Sequence, residues 1–342
     1  MISGKTMLLT GGGGSVGKSL IHHFLSKDPS IIRVFDNNEP SLSELGAEVD
    51  DDRLRYLAGD IRDKDRLERA MEGVDIVVHT AAMKHVDICE YNPFEAVQTN
   101  AVGLQNVVDT AIDANVDRVV FTSSDKAVDP ANTMGTTKLL GEKLITAGNK
   151  HAGGRDIRFA SVRFGNVINS SQSVVPLFKR QIRDGGPVTL TDPRMARFFL
   201  TYDDVADLVE SAIESMKGGE IFVYKMPTIN IEDLAQALIE VLAPKHGYEP
   251  GDIEIDVIGR RLGETFHEEV MTERETLRAV ENQSLYAVPP ETTEGNGYLS
   301  HEGLDGFSQT DNVTRTTAQA EPLSLPAIKS LLMNNDLLEG NT

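Results

Sequence analysis

The chain has 342 residues, one cysteine and a formal net charge of −20, from 53 acidic against 33 basic side chains. That length can bury one large core or two modest ones. The acidity repels nucleic acid and anionic membranes, and the lone Cys89 excludes an internal disulfide and a cysteine-based zinc site while fitting a reducing cytoplasm. Buried strands are expected at Thr6–Thr10, Ile31–Phe35, Leu54–Ala58, Asp75–His79 and Arg118–Thr122, with amphipathic helical stretches at Val16–Leu25, Lys64–Met71 and Glu95–Ala114. Strand–helix alternation argues a parallel sheet covered on both faces. Right-handed crossovers then give an α/β, doubly wound dinucleotide-binding fold of the Rossmann kind.

The second half is less regular. Phe159–Phe164 reads as another sheet strand, and Val174–Asp184, Asp203–Met216 and Ile231–Leu242 read as helices. Gly185–Gly186, Asp192–Pro193 and Met226–Pro227 are turn punctuation. From Thr292 to about Glu321 the composition is linker-like, suiting a disordered segment or an arm on the body. A last helix near 326–334 carries Ile328, Leu331 and Leu332 at docking spacing. The expected division is a nucleotide-binding domain over 1–165, a smaller α/β region over 166–290 that is mainly substrate-binding with some segments returning to the first sheet, and a C-terminal arm and helix over 291–342. Neither a leader peptide nor a preceding membrane domain is expected, and no apolar run reaches the eighteen or so residues a membrane helix needs. The acidity suits plain solubility or a high-salt cytoplasm, where long-range repulsion is screened.

Thr10–Gly17, T-G-G-G-G-S-V-G, contains G-x-x-G-x-x-G between a strand and a helix. Glycine lets the backbone turn tightly and approach a pyrophosphate held on free N–H groups at the helix start. Thr10, Gly11, Gly14, Ser15, Val16 and Gly17 are therefore expected around a dinucleotide. Asp36 closes the next strand, where a carboxylate accepts both adenosine ribose hydroxyls. The alternative for Asp36 is a turn acid. Asn37 and Asn38 follow, with no Arg or Lys up to Pro40, which favours NAD over NADP. Asp60 and Ile61 flank the adenine or belong to an ordinary loop. No metal is expected.

Ser123–Ala127, S-S-D-K-A, puts an acid, Asp125, beside an amine, Lys126, where the strand V-V-F-T ends. A solvated loop lysine and a turn-capping aspartate would look the same in isolation. The end of a parallel strand is where ligands bind in such sheets, and that favours chemistry.

Several motifs occur in order: the glycine loop, A-A-M-K-H-V (81–86), E-x-N-P-x-E-A-x-x-T-N-x-x-G (90–103), S-S-D-K-A, P-x-N-x-M-G-x-T-K (130–138) and R-F-G-N-V (163–167). Together they resemble the extended short-chain dehydrogenase/reductase family, and within it the UDP-N-acetylglucosamine 4,6-dehydratases. The resemblance covers most of residues 5–280. It implies oxidation of the sugar at carbon 4, loss of water across carbons 5 and 6, and return of the hydride to carbon 6. Lys126 would be the base at carbon 5 and Asp125 the acid at carbon 6, with Ser124 on the carbon 4 hydroxyl. To accept a proton Lys126 must be neutral, through burial or nearby positive charge. Lys138 would bind the nicotinamide ribose and supply that charge. The departure is Met134, where most of the wider family has a tyrosine base. Methionine takes no proton, so Asp125 is expected to receive the carbon 4 proton; Met134 also reads as core filler.

The resemblance also places Ala81, Ala82, Lys84, Asn100 and Arg163 with the cofactor. Lys84 is expected at the substrate too, and Asn100 reads as a tie between a helix and a loop. For a UDP-sugar it implies Asn166, Ser173, Val174, Pro176, Lys179, Arg197, Arg261 and Glu264. Arg197 could instead be an ion-pair residue. Leu262 and Thr265 replace a proline and a lysine of the family's diphosphate-binding segment. A homo-oligomer assembled through Glu95–Ala114 and Asn132–Asn149 is expected. The rival readings are a UDP-sugar 4-epimerase on the same scaffold, which needs no amine beside carbon 5, and a non-catalytic NAD-binding protein.

Overall fold

The computed structural model describes residues 1–171, 173–261, 263–291, 304–310 and 312–335. In chain order the first elements are β1 (Thr6–Thr10), α1 (Ser15–Leu25), β2 (Ile31–Asp36), α2 (Glu39–Glu48), β3 (Leu54–Ala58), α3 (Lys64–Met71), β4 (Ile76–His79), α4 (Val86–Tyr91), α5 (Pro93–Val97), α6 (Leu104–Asp113), β5 (Arg118–Thr122), α7 (Thr133–His151) and β6 (Arg158–Arg163). Then come β7 (Asn166–Val167), α8 (Val174–Arg183), β8 (Val188–Leu190), β9 (Ala196–Leu200), α9 (Tyr202–Ser215), β10 (Ile221–Tyr224), β11 (Thr228–Asn230), α10 (Ile231–Leu242), β12 (Ile255–Val257), α11 (Glu273–Thr276), β13 (Val280–Glu281), β14 (Leu285–Val288), β15 (Ser308–Gln309) and α12 (Leu325–Asn334).

The described residues form two compact units. The first comprises those of 1–164, 202–225 and 270–313, the second those of 165–201, 226–269 and 314–342. The stretch 166–290 is thus shared between the units, and so is the C-terminal arm.

In the first unit one sheet runs β15-β13-β14-β10-β6-β5-β4-β1-β2-β3. Strands β3 through β10 are parallel, and β14, β13 and β15 add antiparallel pairs at one end. Sequence order reverses between β1 and β4, the switch point where a doubly wound sheet opens a crevice for ligands. Leu8, Val77, Val119, Phe121 and Phe159 of the sheet pack with Leu104, Val107, Val108 and Ala111 of α6 and Ile145 of α7 in one core.

Two local expectations change, and one helix is added. Leu54–Ala58 is an edge strand with Arg55, Tyr56 and Ala58 exposed, because among the described residues nothing pairs beyond it. The stretch Glu95–Ala114 is interrupted by a π-helical turn at Gln98–Gly103. Helix α2 escapes the periodicity argument because it buries only Leu42 and Leu45; its start is set by Asn38, whose side chain accepts from Ser41 N–H.

The second unit has the sheet β11-β9-β7 and the pair β12-β8. Val175, Phe178 and Ile182 of α8, Leu234 and Leu238 of α10, and Ile328 and Leu332 of α12 share its core. Residues 292–303 of the linker-like stretch lie outside the described residues. Among the described residues no helix is long and apolar enough to cross a membrane.

Candidate active site

Strand β1 ends in a loop that has no room for side chains. Gly11 has φ +71°, and a Cβ there would stand 2.6 Å from the Ala81 nitrogen; one on Gly17 would stand 2.5 Å from the Gly11 carbonyl oxygen. Helix α1 then starts from an extended Gly14 with no side-chain cap, so its first-turn N–H groups face the loop. Asp36, at the end of β2, accepts N–H from Gly13 at 3.0 Å and from Asn38 at 2.9 Å. These two bonds fix the carboxylate against the loop and leave lone pairs for a ligand's hydroxyls. The backbone cradle and the fixed carboxylate fit a dinucleotide with an unmodified adenosine ribose. Asn37 lies 3.5 Å from Asp60, whose carboxyl is held below its ordinary range by the hydrogen-bonded Arg62 guanidinium.

At the end of β5 the chain makes a single 3₁₀ turn, Asp125–Ala127. It is pinned to β6 by Ser123 N–H to the Val162 carbonyl, 2.7 Å, and Asp125 N–H to the Phe164 carbonyl, 3.0 Å. Asp125 is 1% exposed. Its Oδ1 accepts from the Ser124 hydroxyl at 2.8 Å, the Lys126 N–H at 2.8 Å and the Lys126 ammonium at 3.1 Å. Its Oδ2 is buried and, among the described residues, without a hydrogen-bond partner. One oxygen therefore organises the turn and the other is left for something not supplied by the protein.

Helix α7 is brought against this turn by two local features. The Asn132 side chain caps it by accepting from Gly135 N–H at 2.8 Å, and Glu90 accepts from Thr133 N–H at 2.5 Å. Gly135 then touches the turn, for a Cβ there would lie 2.0 Å from the Lys126 carbonyl oxygen. Met134 is 5% exposed and packs with Cys89, Ala96, Met83 and Val86. Its thioether fills the core and offers no proton acceptor. Lys138, four residues on, is 6% exposed. Its ammonium donates to the Thr122 carbonyl at 2.8 Å and lies 4.8 Å from the Phe121 ring centre. Burial pushes it down to about 8, against the opposing pull of Glu142. Nearby His79 stacks on Phe121, and its Nδ1 is 2.6 Å from the Thr10 hydroxyl. Burial, and secondarily Lys138, lower its pKa to about 3, so the ring is neutral.

Two residues expected at the cofactor are committed elsewhere. Arg163 is 1% exposed and pairs with Glu142 at 2.7 Å and Glu275 at 3.1 Å, while also donating to the Val270 carbonyl. Burial works against its charge, but the two carboxylates outweigh it and raise its pKa. It is a structural clamp between β6, α7 and α11. Asn100 spends its amide on both backbone groups of Met83 and on the Thr137 hydroxyl, at 2.8–2.9 Å. It orders the 81–84 loop against α7 and does not present a polar group to a cofactor. In that loop burial lowers the pKa of Lys84, and Ala81 and Ala82 are partly exposed.

In the second unit Arg197 is also committed. It is 8% exposed, donates to the carbonyls of Ala196, Thr265 and Phe266, and pairs with Glu268 at 3.4 Å. It is therefore a brace for the 265–268 segment and not a free phosphate ligand. Glu264 accepts from the Arg261 backbone N–H at 2.9 Å and shapes that loop, leaving the exposed Arg261 guanidinium outward. Lys179 is half-buried, with a pKa lowered by burial and by Lys245. Ser173 precedes α8, with Val174 and Pro176 in its first turn. Among the described residues Asn166 Oδ1, Ser173 Oγ and Thr265 Oγ1 are each buried without a hydrogen-bond partner. Glu142 and Gly135 were missed in the sequence. K-x-x-x-E spacing on a helix and the glycine of M-G-x-T-K were the available signals.

Comparison with known proteins adds relationships. Residues 7–290 match the family model described as polysaccharide biosynthesis protein. A Methanocaldococcus jannaschii chain named as an uncharacterized membrane protein is 50% identical over 85% of this chain and 88% of its own length. The UDP-N-acetylglucosamine 4,6-dehydratase (inverting) of Campylobacter jejuni is 38% identical over 95% of this chain and 98% of its own. The UDP-glucose 4-epimerase of Rickettsia conorii is 35% identical over 99% and 98%. Among solved structures, Pen from Bacillus thuringiensis superposes with a TM-score of 0.88 at 39% identity, covering 97% of this chain and 98% of that one. The dTDP-glucose 4,6-dehydratase DesIV of Streptomyces venezuelae, with NAD and TYD bound, gives 0.68 at 25% identity over 76% and 86%.

Proposed function

Since the chain belongs to the polysaccharide biosynthesis protein family, in the dehydratase branch of the extended short-chain dehydrogenases/reductases, we propose that it is an NAD-dependent UDP-N-acetylglucosamine 4,6-dehydratase. It forms a UDP-4-keto-6-deoxy-N-acetylhexosamine in the cytoplasm for surface polysaccharide or glycoprotein glycan synthesis, working as a homo-oligomer. The observation that carries this reading is the buried Asp125 carboxyl, with Lys126 on one oxygen and nothing on the other. NAD is supported by the Gly11–Gly17 cradle, by the carboxylate of Asp36 and by the NAD in the DesIV relative.

Bound NAD supplies a hydride acceptor for sugar carbon 4 and a donor for carbon 6. The protein's part is acid–base chemistry. Asp125 and Lys126 stand 3.1 Å apart. The cycle starts with the amine neutral and the carboxylate ionised, so the proton that makes Asp125 an acid is the one released from the carbon 4 hydroxyl. The amine removes the carbon 5 proton, which the neighbouring ketone acidifies, and the acid protonates the departing carbon 6 hydroxyl. Because Met134 accepts no proton, Asp125 Oδ2 takes the carbon 4 hydroxyl proton beforehand. That proton leaves in the water, and the Lys126 ammonium returns a proton to carbon 5 as hydride reaches carbon 6, which restores the neutral amine. Ser124 holds Asp125 in register for both transfers. Lys138 would hold the nicotinamide ribose and supply positive charge there. Asn166, Ser173, Thr265, Lys179 and Arg261 are assigned to the UDP-sugar.

A 4-epimerase reading keeps support from the Rickettsia relatives. An epimerase returns hydride to carbon 4 and leaves no task for an amine at carbon 5, so the Asp125–Lys126 contact disfavours it. Incubation with UDP-N-acetylglucosamine and NAD, followed by mass spectrometry, separates the readings. The expected product is lighter by one water. An isomer of unchanged mass would establish an epimerase, and the absence of turnover a binding protein.

A further inference from the structure

On the first unit, β2, β3 and α3 enclose a concavity of about 550 Å³ lined by Ile31, Arg33, Arg55, Leu57, Arg66, Arg69 and Glu72. The register places Arg33 directly opposite Arg55 and Phe35 opposite Leu57, so both arginines leave the same face of the sheet. Arg66, Arg69 and Glu72 follow at three-residue spacing along α3 and its cap, forming one stripe. Four guanidiniums against one carboxylate meet here in a chain of net charge −20.

Three of the four bond backbone carbonyls. Arg33 donates to the Ala70 and Glu72 carbonyls, Arg55 to those of Asp52 and Leu54, and Arg66 to that of Ala58. Among the described residues none of the four pairs with a carboxylate, whereas Arg53, Arg62, Arg163, Arg194, Arg274 and Arg278 all do. Like charges directly opposite on paired strands repel. Charge on an edge strand guards against strand addition, but that accounts for Arg55 alone. Carbonyl contacts leave the positive charge uncompensated.

We infer that this concavity is an anion site, separate from the catalytic centre, for a small phosphorylated molecule of nucleoside diphosphate class. Guanidinium forks match phosphate oxygens, and Ile31 and Leu57 give an apolar floor for a ring. The volume suits one such molecule, ligand sites running from roughly 300 to 1,000 Å³. A phosphate polymer would have to cross the acidic surface beyond the pocket, whereas a small anion is drawn in by the local field alone. The site runs from Ile31, about 16 Å along β2 from Asp36, to Leu57, which pairs with Phe35 beside Asp36. Its occupant would neutralise the Arg33–Arg55 repulsion at the sheet edge.

The test is isothermal calorimetry with inorganic pyrophosphate on the full chain with NAD bound and no UDP, which as a nucleoside diphosphate would itself fill the proposed site. Wild type and the double variant Arg55→Gln/Arg69→Gln are compared; neither residue belongs to the catalytic machinery. Wild type should bind one equivalent, and the variant should bind about tenfold more weakly or worse, with an unchanged melting temperature in phosphate-free buffer showing that it is folded. Equal affinity in the two proteins, no binding to wild type, or binding only of long-chain polyphosphate would overturn the assignment.

Discussion

Lys138 and Arg163 are both buried cations of the first unit, on α7 and the adjacent β6, and their surroundings differ in kind. Arg163 is gripped by Glu142 and Glu275, which raise its pKa. Lys138 has a carbonyl and an aromatic ring, and its pKa falls to about 8. Glu142 is one helical turn from Lys138, yet its carboxylate is hydrogen-bonded to Arg163 and Ser123. A buried charge with matched counter-charges is scaffold. One held by a carbonyl, with an unpartnered carboxylate oxygen on the same turn-and-helix assembly, is prepared for a ligand. The proposed catalytic turn and the clamp beside it thus use the same residue types for opposite ends.

The sharpest way to break this contrast is Asp125→Asn. The amide keeps the turn's shape but can neither take nor give the required proton. Turnover should drop by about 10²–10⁴-fold at unchanged melting temperature, measured by formation of the dehydrated sugar nucleotide. Full activity would return Asp125 to the scaffold side of the comparison.

On the clamp side the expected loss is stability. Glu142→Ala leaves Arg163 with half its counter-charge and should cost about 3–5 kcal/mol in urea unfolding. A cost near zero would mean that the clamp is dispensable.

His79 gives a pH test of similar size. It is neutral when folded, with a pKa of about 3, whereas the unfolded ring titrates near 6.5. The unfolded chain gains a proton first as pH falls. The stability from this group is complete above pH 6.5 and is lost down to pH 3, by roughly 5 kcal/mol. Urea unfolding in that window should show a shallower acid loss for His79→Gln than for wild type; parallel curves would refute the shift. The smallest effect belongs to Met134→Leu. A volume-matched swap in the Cys89–Ala96 cluster should cost under about 1.5 kcal/mol and leave turnover intact. A large loss of turnover would give the sulfur a role beyond packing.

Much of the first unit was legible because its signals are local. Strands β1, β2, β4 and β5 are short apolar runs, and the Gly11–Gly17 loop and Asp36 are read within one strand–turn–helix. The turn at Asp125 announced itself by following β5 immediately. What stayed hidden depends on pairings distant in sequence. Nothing near Arg163 shows that Glu142 and Glu275 will bury it, and nothing near Arg197 shows the carbonyls of Thr265 and Phe266. An arginine in a motif reads the same whether it will bind phosphate or a backbone. Arg33, Arg55, Arg66 and Arg69 come from three elements and become one feature only when the sheet register is known.

The elimination itself is tested most directly at Lys126. With UDP-N-acetylglucosamine and NAD, Lys126→Met should stay folded while its rate of 4-keto-6-deoxy product formation falls by about 10³-fold. Product appearing at the wild-type rate would contradict the assignment of Asp125 and Lys126 as the acid–base pair.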